Sequence, residues 1–223
     1  MIMRYKAITF SFDGAIADSK RLSAQALVET LAEAGMQIAL EDVLRNFAGK
    51  RWSTILALIE TRIGRELPAT LVLQKHKEMG RRVALQVNTI PGVEAFLNIT
   101  KNAQRIIVAT SEPIWISRTL TRFGLEHHFD KNIYTTATLT HDKPNPEIYH
   151  LIAKNLGVAP DQIVAIEDDI IGVMAAVAAG VTTIGLVAGS HILPGVADAM
   201  RAAGAHHIAA DYESVDEWIK RVV

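Results

Sequence analysis

A doubly wound α/β fold, in which helices cover both faces of a parallel sheet, is predicted by three observations. The chain has 223 residues, 49% of them hydrophobic, enough for one substantial core or a core with a smaller second domain. Short apolar runs rich in β-branched residues alternate with helical patterns. The runs also lack a clean apolar–polar alternation, which is typical of strands buried on both faces.

The predicted elements follow one another in strand–helix order. Strands are predicted at residues 5–12, 104–110, 162–167 and 182–187, with a weaker candidate at 207–210. Helices are predicted at residues 113–123, 145–156, 170–179 and 196–203. In such a sheet, ligands bind beyond the carboxyl ends of the strands, so the last residues of each strand are candidates for a site.

One long segment interrupts this alternation. From Asp18 to about Val87 we find only amphipathic helical patterns, such as "RLSAQALVETLAEAG" and "WSTILALIETRIG". The segment is too long for a loop, and we expect a small helical domain above the carboxyl edge of the sheet. The predicted division is a core of residues 1–15 and 92–223 and a helical domain of residues 16–91.

Composition excludes several functions. Lysine plus arginine number 23 against 24 acidic residues, and a net charge of -1 gives no long-range attraction for nucleic acid or an anionic membrane. The absence of cysteine excludes disulfides, thiolate metal sites and a cysteine nucleophile. The N-terminal apolar run is too short for a signal peptide or a membrane span. We expect a cytoplasmic protein, monomeric or weakly dimeric, with a small-molecule ligand.

The first two predicted strands end in polar side chains that could take part in catalysis or ligand binding. The period of two puts Ser11 and Asp13 on one side of the first strand, before a turn at Gly14. After the second strand, Thr110 and Ser111 offer hydroxyls and free amides ahead of a helix, a suitable anion site. Taken alone, a hydroxyl here is more often a helix N-cap, and Asp-Gly is a common turn.

An acidic cluster and a lysine follow later in the chain. Glu167, Asp168 and Asp169 end the third strand and repel one another unless a cation or helix amides balance their charge. Such hard oxygen ligands suit magnesium. Lys143 precedes a helix that begins near proline and could reach the same edge. Taken alone, Asp168 and Asp169 could be acids in the first turn of a helix, and Lys143 could be a solvated lysine in a loop. Their joint occurrence at successive strand ends favours a phosphoryl-transfer site.

Four motifs resemble those of the haloacid dehalogenase-like superfamily. They are, in the order of that family, "FSFDGAIADS", "IIVATS", "KPNPEIY" and "AIEDDIIGVMAAVAAG". The chain looks most similar to the branch with β-phosphoglucomutase, sugar-phosphate phosphatases and phosphoglycolate phosphatase. The resemblance implies a Rossmann-like core, a helical cap domain inserted after the first strand, and a magnesium-dependent hydrolase acting on small phosphorylated substrates.

The resemblance also implies a role for each motif residue. Asp13 would be the general acid and base and would lend its carbonyl to Mg²⁺, and Glu167 with Asp168 would be the metal-binding acids. Thr110 and Lys143 would hold the transferring phosphoryl group. These roles agree with the interpretation from the strand ends.

The first motif departs from the family pattern at Ser11, where relatives have the nucleophilic aspartate. A hydroxyl needs an adjacent base, whereas a carboxylate attacks as it stands. We therefore expect turnover to be weakened or lost, while ligand binding could survive. Asp169, where relatives often have serine, would either strengthen the metal site or cap the helix.

Substrate contacts are expected from the cap and from the second motif. The stretch "FAGKRWSTIL" resembles the substrate loop of related caps, so Lys50 and Arg51 are candidate substrate-binding residues, as is Ser111. An ordinary solvated helix start with Trp52 packed beneath it is the alternative. Two functions stay open: a weakened magnesium-dependent phosphatase, and a non-catalytic protein that binds a phosphorylated metabolite or a protein partner.

Overall fold

A single parallel sheet organises the molecule. The computed structural model describes residues 5–33, 35–47, 50–67, 69–129, 132–136 and 139–222. Within these ranges the sheet has six strands: β1 (Ala7–Ser11), β2 (Gln104–Ala109), β3 (Ile133–Thr135), β4 (Ile163–Glu167), β5 (Thr182–Leu186) and β6 (His207–Ala209). Every strand pair is parallel, and the order is β3-β2-β1-β4-β5-β6.

The segment after β1 is helical, as the sequence predicts. It contains α1 (Lys20–Glu33), α2 (Leu40–Asn46), α3 (Trp52–Ile63) and α4 (Ala69–Gln86). These helices bury a hydrophobic cluster of their own, in which Leu27 and Leu31 meet Val43, Leu44 and Phe47. The predicted division into residues 1–15 with 92–223 and residues 16–91 stays a prediction.

The helical segment joins the sheet through two connectors that run side by side. The Ile90 amide donates to the Ile16 carbonyl at 2.8 Å, and the Asp18 amide donates to the Asn88 carbonyl at 2.9 Å. Because the outgoing and returning chains are hydrogen-bonded to each other, the helices start from a defined position beside the end of β1. Among the described residues, no helix is both long and apolar enough to cross a membrane.

Helices cover both faces of the sheet. Six helices follow the helical segment: α5 (Val93–Ile99), α6 (Pro113–Phe123), α7 (Glu147–Leu156), α8 (Ile170–Ala178), α9 (Val196–Ala202) and α10 (Tyr212–Val222). Phe96 of α5, Ile116 of α6 and Val215 of α10 belong to one buried cluster, whereas Tyr149 of α7 and Ala175 of α8 belong to another. This arrangement confirms the doubly wound α/β fold and explains why the two central strands, β1 and β4, are buried along their whole length.

The prediction missed strand β3 and helices α5 and α10, and several element bounds differ from it by one or two residues. Strand β3 is not predicted, because three residues are too few to show a periodicity. Helix α7 begins at Glu147 rather than at residue 145, since Pro146 stands at its N-cap and disfavours helical backbone at Asn145.

The strand order reverses at β1. Its residue Ser11 pairs with Val108 of β2 on one side, while Phe10 pairs with Ile166 of β4 on the other. Chain connections therefore leave β1 in opposite directions, and the carboxyl ends of β1, β2 and β4 open onto one crevice. The predicted strand-end residues lie around this crevice.

Candidate active site

The turn that follows β1 is held close to the end of β4. Gly14 has a φ of +101°, a left-handed conformation that favours glycine. A Cβ atom at this position would lie 1.9 Å from Oδ2 of Asp168, so only glycine allows the two loops to approach so closely. The hydroxyl of Tyr212, the first residue of α10, also donates to the Ala15 carbonyl at 2.6 Å and holds the turn in place.

Two hydroxyl groups hold the Asp13 carboxylate. Ser19, just before α1, donates to Oδ1 at 2.5 Å, and Ser111, just after β2, donates to Oδ2 at 2.5 Å. The structure thus brings together Asp13 and Ser111 from the ends of neighbouring strands. Ser19 was missed by the site prediction, although it lies in the quoted first motif.

Ser11 is almost completely buried, and its hydroxyl donates to the Asp13 carbonyl at 3.3 Å. Within the described residues, no histidine nitrogen is hydrogen-bonded to this hydroxyl. The geometry therefore offers no adjacent base that would make Ser11 a strong nucleophile.

Lys143 and Glu167 form a buried ion pair beside the crevice. The Lys143 ammonium lies 2.9 Å from Oε1 of Glu167, and the Tyr149 hydroxyl donates to the same oxygen. Burial acts to lower the pKa of Lys143, but Glu167 outweighs it and raises that pKa. Burial raises the pKa of Glu167, and Lys143 opposes the rise. The geometry pairs Glu167 with Lys143 instead of directing it at a metal.

Asp168 and Asp169 share a different cation. The Lys20 ammonium forms ion pairs with Oδ2 of Asp168 and, at 2.5 Å, with Oδ2 of Asp169. His191 Nε2 lies 2.9 Å from the same Asp168 oxygen. Oδ1 of Asp169 accepts the Gly172 amide at 2.7 Å, so Asp169 is the N-cap of α8, one of its two predicted roles.

The electrostatics of this cluster follow from burial and charge. Burial acts to raise the pKa of Asp168, but Lys20 and then His191 outweigh it and hold the pKa well below the usual range. Burial likewise opposes the lowered pKa of Asp169, which Lys20 causes. Both carboxylates are therefore ionised at neutral pH. Lys20 follows the first motif directly but carries no motif of its own, and His191 lies in a loop that shows no pattern, so sequence reasoning missed both.

A cavity of about 1110 Å³ lies between the helical segment and the sheet edge. Asp13, Thr110 and Ser111 line its floor. The cavity lining is rich in basic side chains, namely Lys20, Lys50, Arg51, Lys77, Arg81, Arg118 and Arg122. Such a lining favours an anionic ligand.

The two predicted cap contacts differ in their availability. Lys50 lines the cavity. Arg51 also reaches it, but its guanidinium donates to the carbonyls of Thr136 and Leu139 and pairs with Asp142. The guanidinium thus joins the helical segment to the loop after β3.

The side chains around Asp168 differ from the donor set of the magnesium site that the resemblance implies. Among the described residues, no three acidic or histidine side chains are grouped so that they could hold a metal ion. Ser11 presents a neutral hydroxyl, while Lys20 engages one oxygen each of Asp168 and Asp169. Oδ1 of Asp168 and Oε2 of Glu167 are buried without a hydrogen bond, but two carboxylate oxygens are far from the octahedral set of oxygens that Mg²⁺ demands. The residues present do not fit the ion.

Comparisons with known proteins agree with this architecture. The family model described as haloacid dehalogenase-like hydrolase matches residues 8–186. Protein YhcW of Bacillus subtilis (strain 168) is 35% identical over 180 residues, which cover 78% of this chain and 80% of that protein. Fructose-1-phosphate phosphatase YqaB of Escherichia coli (strain K12) is 27% identical over 82% of this chain and 97% of its own length.

A solved structure matches over almost the whole chain. The haloacid dehalogenase-like protein ATU0790 of Agrobacterium tumefaciens superposes with a TM-score of 0.84 at 31% identity, covering 98% of this chain and 99% of the other. The match confirms the fold, and the family model spans the strand ends that build the crevice. The chain therefore belongs to the haloacid dehalogenase-like hydrolases.

Proposed function

We propose that the chain binds small phosphomonoesters of the sugar-phosphate type in the cavity and hydrolyses them slowly. The observation that carries the proposal is the Asp13 carboxylate, which two hydroxyls hold at the floor of a cavity with basic walls. A carboxylate at this position can move a proton, while the basic walls attract the phosphate.

Asp13 is the proposed proton carrier. A water oxygen attacks phosphorus, and Asp13 takes the proton that the water loses. The phosphorus–oxygen bond to the sugar then breaks, and Asp13 returns the proton to the leaving oxygen, so an alcohol and inorganic phosphate are released. Thr110, Ser111 and Lys143 are the proposed ligands of the phosphoryl oxygens.

Ser11 is the reason for slow turnover. With a hydroxyl in place of the nucleophilic carboxylate, the two-step route through an aspartyl phosphate is closed. By analogy with the removal of other nucleophiles, we expect turnover to fall by about 10³ to 10⁶ relative to an aspartate-containing relative.

The substrate class rests on similarity and on the cavity. YqaB is named as a fructose-1-phosphate phosphatase and matches this chain over most of its length. The cavity joins basic groups to the aromatic rings of Trp52 and Trp115, a lining that suits a phosphate attached to a carbohydrate.

Phosphate release from a panel of phosphomonoesters tests the proposal, with fructose 1-phosphate, hexitol phosphates and phosphoglycolate as substrates. Each is assayed with and without magnesium. We expect slow release by the unaltered chain, its loss in Asp13→Asn, and no change in the matched control Asp161→Asn, whose residue is exposed at the turn before β4. Release by the unaltered chain that equals the Asp13→Asn background contradicts hydrolysis, as does activity that appears only in Ser11→Asp.

Ligand binding without turnover is the second candidate function. It is favoured by the buried Ser11 hydroxyl, which has only the Asp13 carbonyl as its hydrogen-bond partner within the described residues. In that case calorimetry detects a phosphorylated sugar bound to a chain that releases no phosphate. A cytoplasmic location, the lack of a nucleic-acid partner and a monomer or weak dimer stay predictions for this chain. The magnesium requirement that the resemblance implies is not part of this proposal, because the donors around Asp168 do not fit the ion.

A further inference from the structure

We infer that Lys20 takes the part of the divalent cation in this chain, so that the acidic cluster is complete without a metal ion. The inference concerns the charge balance of the site and does not depend on whether the chain turns over a substrate. It rests on the position of one ammonium group between Asp168 and Asp169.

The contacts of Lys20 are those of a bridging cation. Its ammonium pairs with a carboxylate oxygen of Asp168 and with one of Asp169, and only 11% of its side chain is exposed. The Asp168 side chain is fully buried. Two adjacent carboxylates in such an environment require a positive partner, because their own repulsion and the loss of hydration disfavour the ionised state.

The position of Lys20 in its helix also indicates a role in charge balance. Lys20 is the first residue of α1, and the first turn of that helix contains no acidic side chain. A positive charge at a helix N-terminus is unfavourable with the helix dipole. The contacts with Asp168 and Asp169 offset this unfavourable placement, so Lys20 is oriented toward the site and away from ordinary solvation.

Ser11 and Lys20 compensate each other in charge. Relative to the pattern that the resemblance implies, Ser11 removes one negative charge from the site. A lysine in place of a divalent ion removes one positive charge. These two changes cancel each other, and Asp169, where relatives often have serine, adds a negative charge that the Lys20 ammonium also contacts.

Most of the other oxygen atoms of the acidic cluster are engaged by groups of the chain. His191 approaches the same Asp168 oxygen as Lys20, and the second oxygen of Asp169 accepts the amide of Gly172. Oε1 of Glu167 is engaged by Lys143 and Tyr149, and its Oε2 lies against Gly172, 2.0 Å from where a Cβ of that residue would be. A divalent ion would have to displace Lys20 while lacking the carboxylate that Ser11 replaces.

The test measures metal binding directly. Mn²⁺ is titrated into the unaltered chain, into the double variant Ser11→Asp with Lys20→Met, and into the control Lys154→Met, whose lysine is exposed on α7. Bound Mn²⁺ is followed by electron paramagnetic resonance. Thermal unfolding is recorded with MgCl₂ and with KCl at equal ionic strength.

We expect no saturable Mn²⁺ binding and no magnesium-specific shift of Tm in the unaltered chain or in Lys154→Met. The double variant should bind one Mn²⁺, and magnesium should raise its Tm by roughly 5–10 °C at about a hundred times its Kd. Stoichiometric Mn²⁺ binding by the unaltered chain that Asp168→Asn abolishes overturns the inference.

A folded double variant that binds no metal also contradicts the inference, because Lys20 and Ser11 would then not be the groups that exclude it. If the double variant does not fold, the unaltered chain alone decides: no binding supports the inference, and binding overturns it. A lack of phosphatase activity leaves this test unaffected, so it can fail or succeed independently of the proposed function.

Discussion

Gly14 shows how a single residue sets the spacing of the site. Its φ of +101° turns the chain back after β1, and its missing side chain admits the Asp168 carboxylate. Any larger residue would meet Asp168 and, at 2.9 Å, the His191 ring. The turn, the acid cluster and the Lys20 contact therefore depend on one glycine.

Replacing this glycine should be destabilising. In Gly14→Ala, the strained backbone and the forced displacement of Asp168 should lower the free energy of unfolding by at least about 1–3 kcal/mol. Urea unfolding measures the change. The control is Gly80→Ala in α4, where an added Cβ meets nothing within 4 Å. It should be neutral or raise the free energy of unfolding by up to about 1 kcal/mol, and equal effects at both positions would contradict the argument.

Helix α8 shows how an element contributes several functions through its first turn. Asp169 caps the helix with one carboxylate oxygen and contacts Lys20 with the other. A larger residue does not fit at Gly172, one turn later, because its Cβ would lie 2.0 Å from Oε2 of Glu167. The first turn of α8 therefore packs against the acidic cluster, and the same turn is capped by Asp169.

Two substitutions separate these contributions of Asp169. Asp169→Asn keeps an oxygen for the Gly172 amide and loses the charge, whereas Asp169→Ala loses both. We expect Asp169→Ala to lower the free energy of unfolding by about 0.5–2 kcal/mol more than Asp169→Asn does, the usual contribution of an N-cap. Urea unfolding of the two variants measures it, and identical values would show that the cap contributes nothing here.

At the scale of the whole molecule, strand order determined how much of the site could be predicted. Asp13, Ser111 and Asp168 were predictable because each follows the end of a strand within two residues, and parallel strands end at one edge of the sheet. Lys20 and His191 were not, since Lys20 stands at the start of a helix outside the strand ends and His191 lies in a loop without a motif. The engagement of Arg51 with Asp142 was also beyond prediction, because it depends on how the helical segment meets the core.

The ion pairs across the crevice also predict how the stability of the whole chain responds to pH. The pKa values of Asp168 and Asp169 are lowered in the folded state, against burial, by Lys20. As pH falls below the unfolded pKa of 3.8, the two carboxyl groups take up protons in the unfolded chain while they stay ionised in the folded chain. Their stabilising contribution is therefore fully present above pH 3.8 and is lost as pH falls toward the lower pKa values of the folded state.

We therefore expect the free energy of unfolding of the unaltered chain to fall steeply below about pH 4. In Lys20→Met, the largest influence that lowers the two carboxyl pKa values is lost, so these pKa values rise and the fall in the free energy of unfolding should become shallower. Urea unfolding across this pH range compares the two chains. Parallel curves would mean that Lys20 does not set the ionisation of the pair.

An ammonium that is part of the chain differs from a metal ion in its availability. Lys20 cannot be diluted away or removed by a chelator, and it is present in every folded copy. The site would therefore respond to its ligand alone and not to the supply of magnesium in the cell. The pairing of residues 11 and 20 also ties their evolution together: an aspartate at residue 11 alone adds an unbalanced charge, and loss of Lys20 alone leaves two buried carboxylates unpaired. A return to the metal-dependent arrangement thus requires both changes.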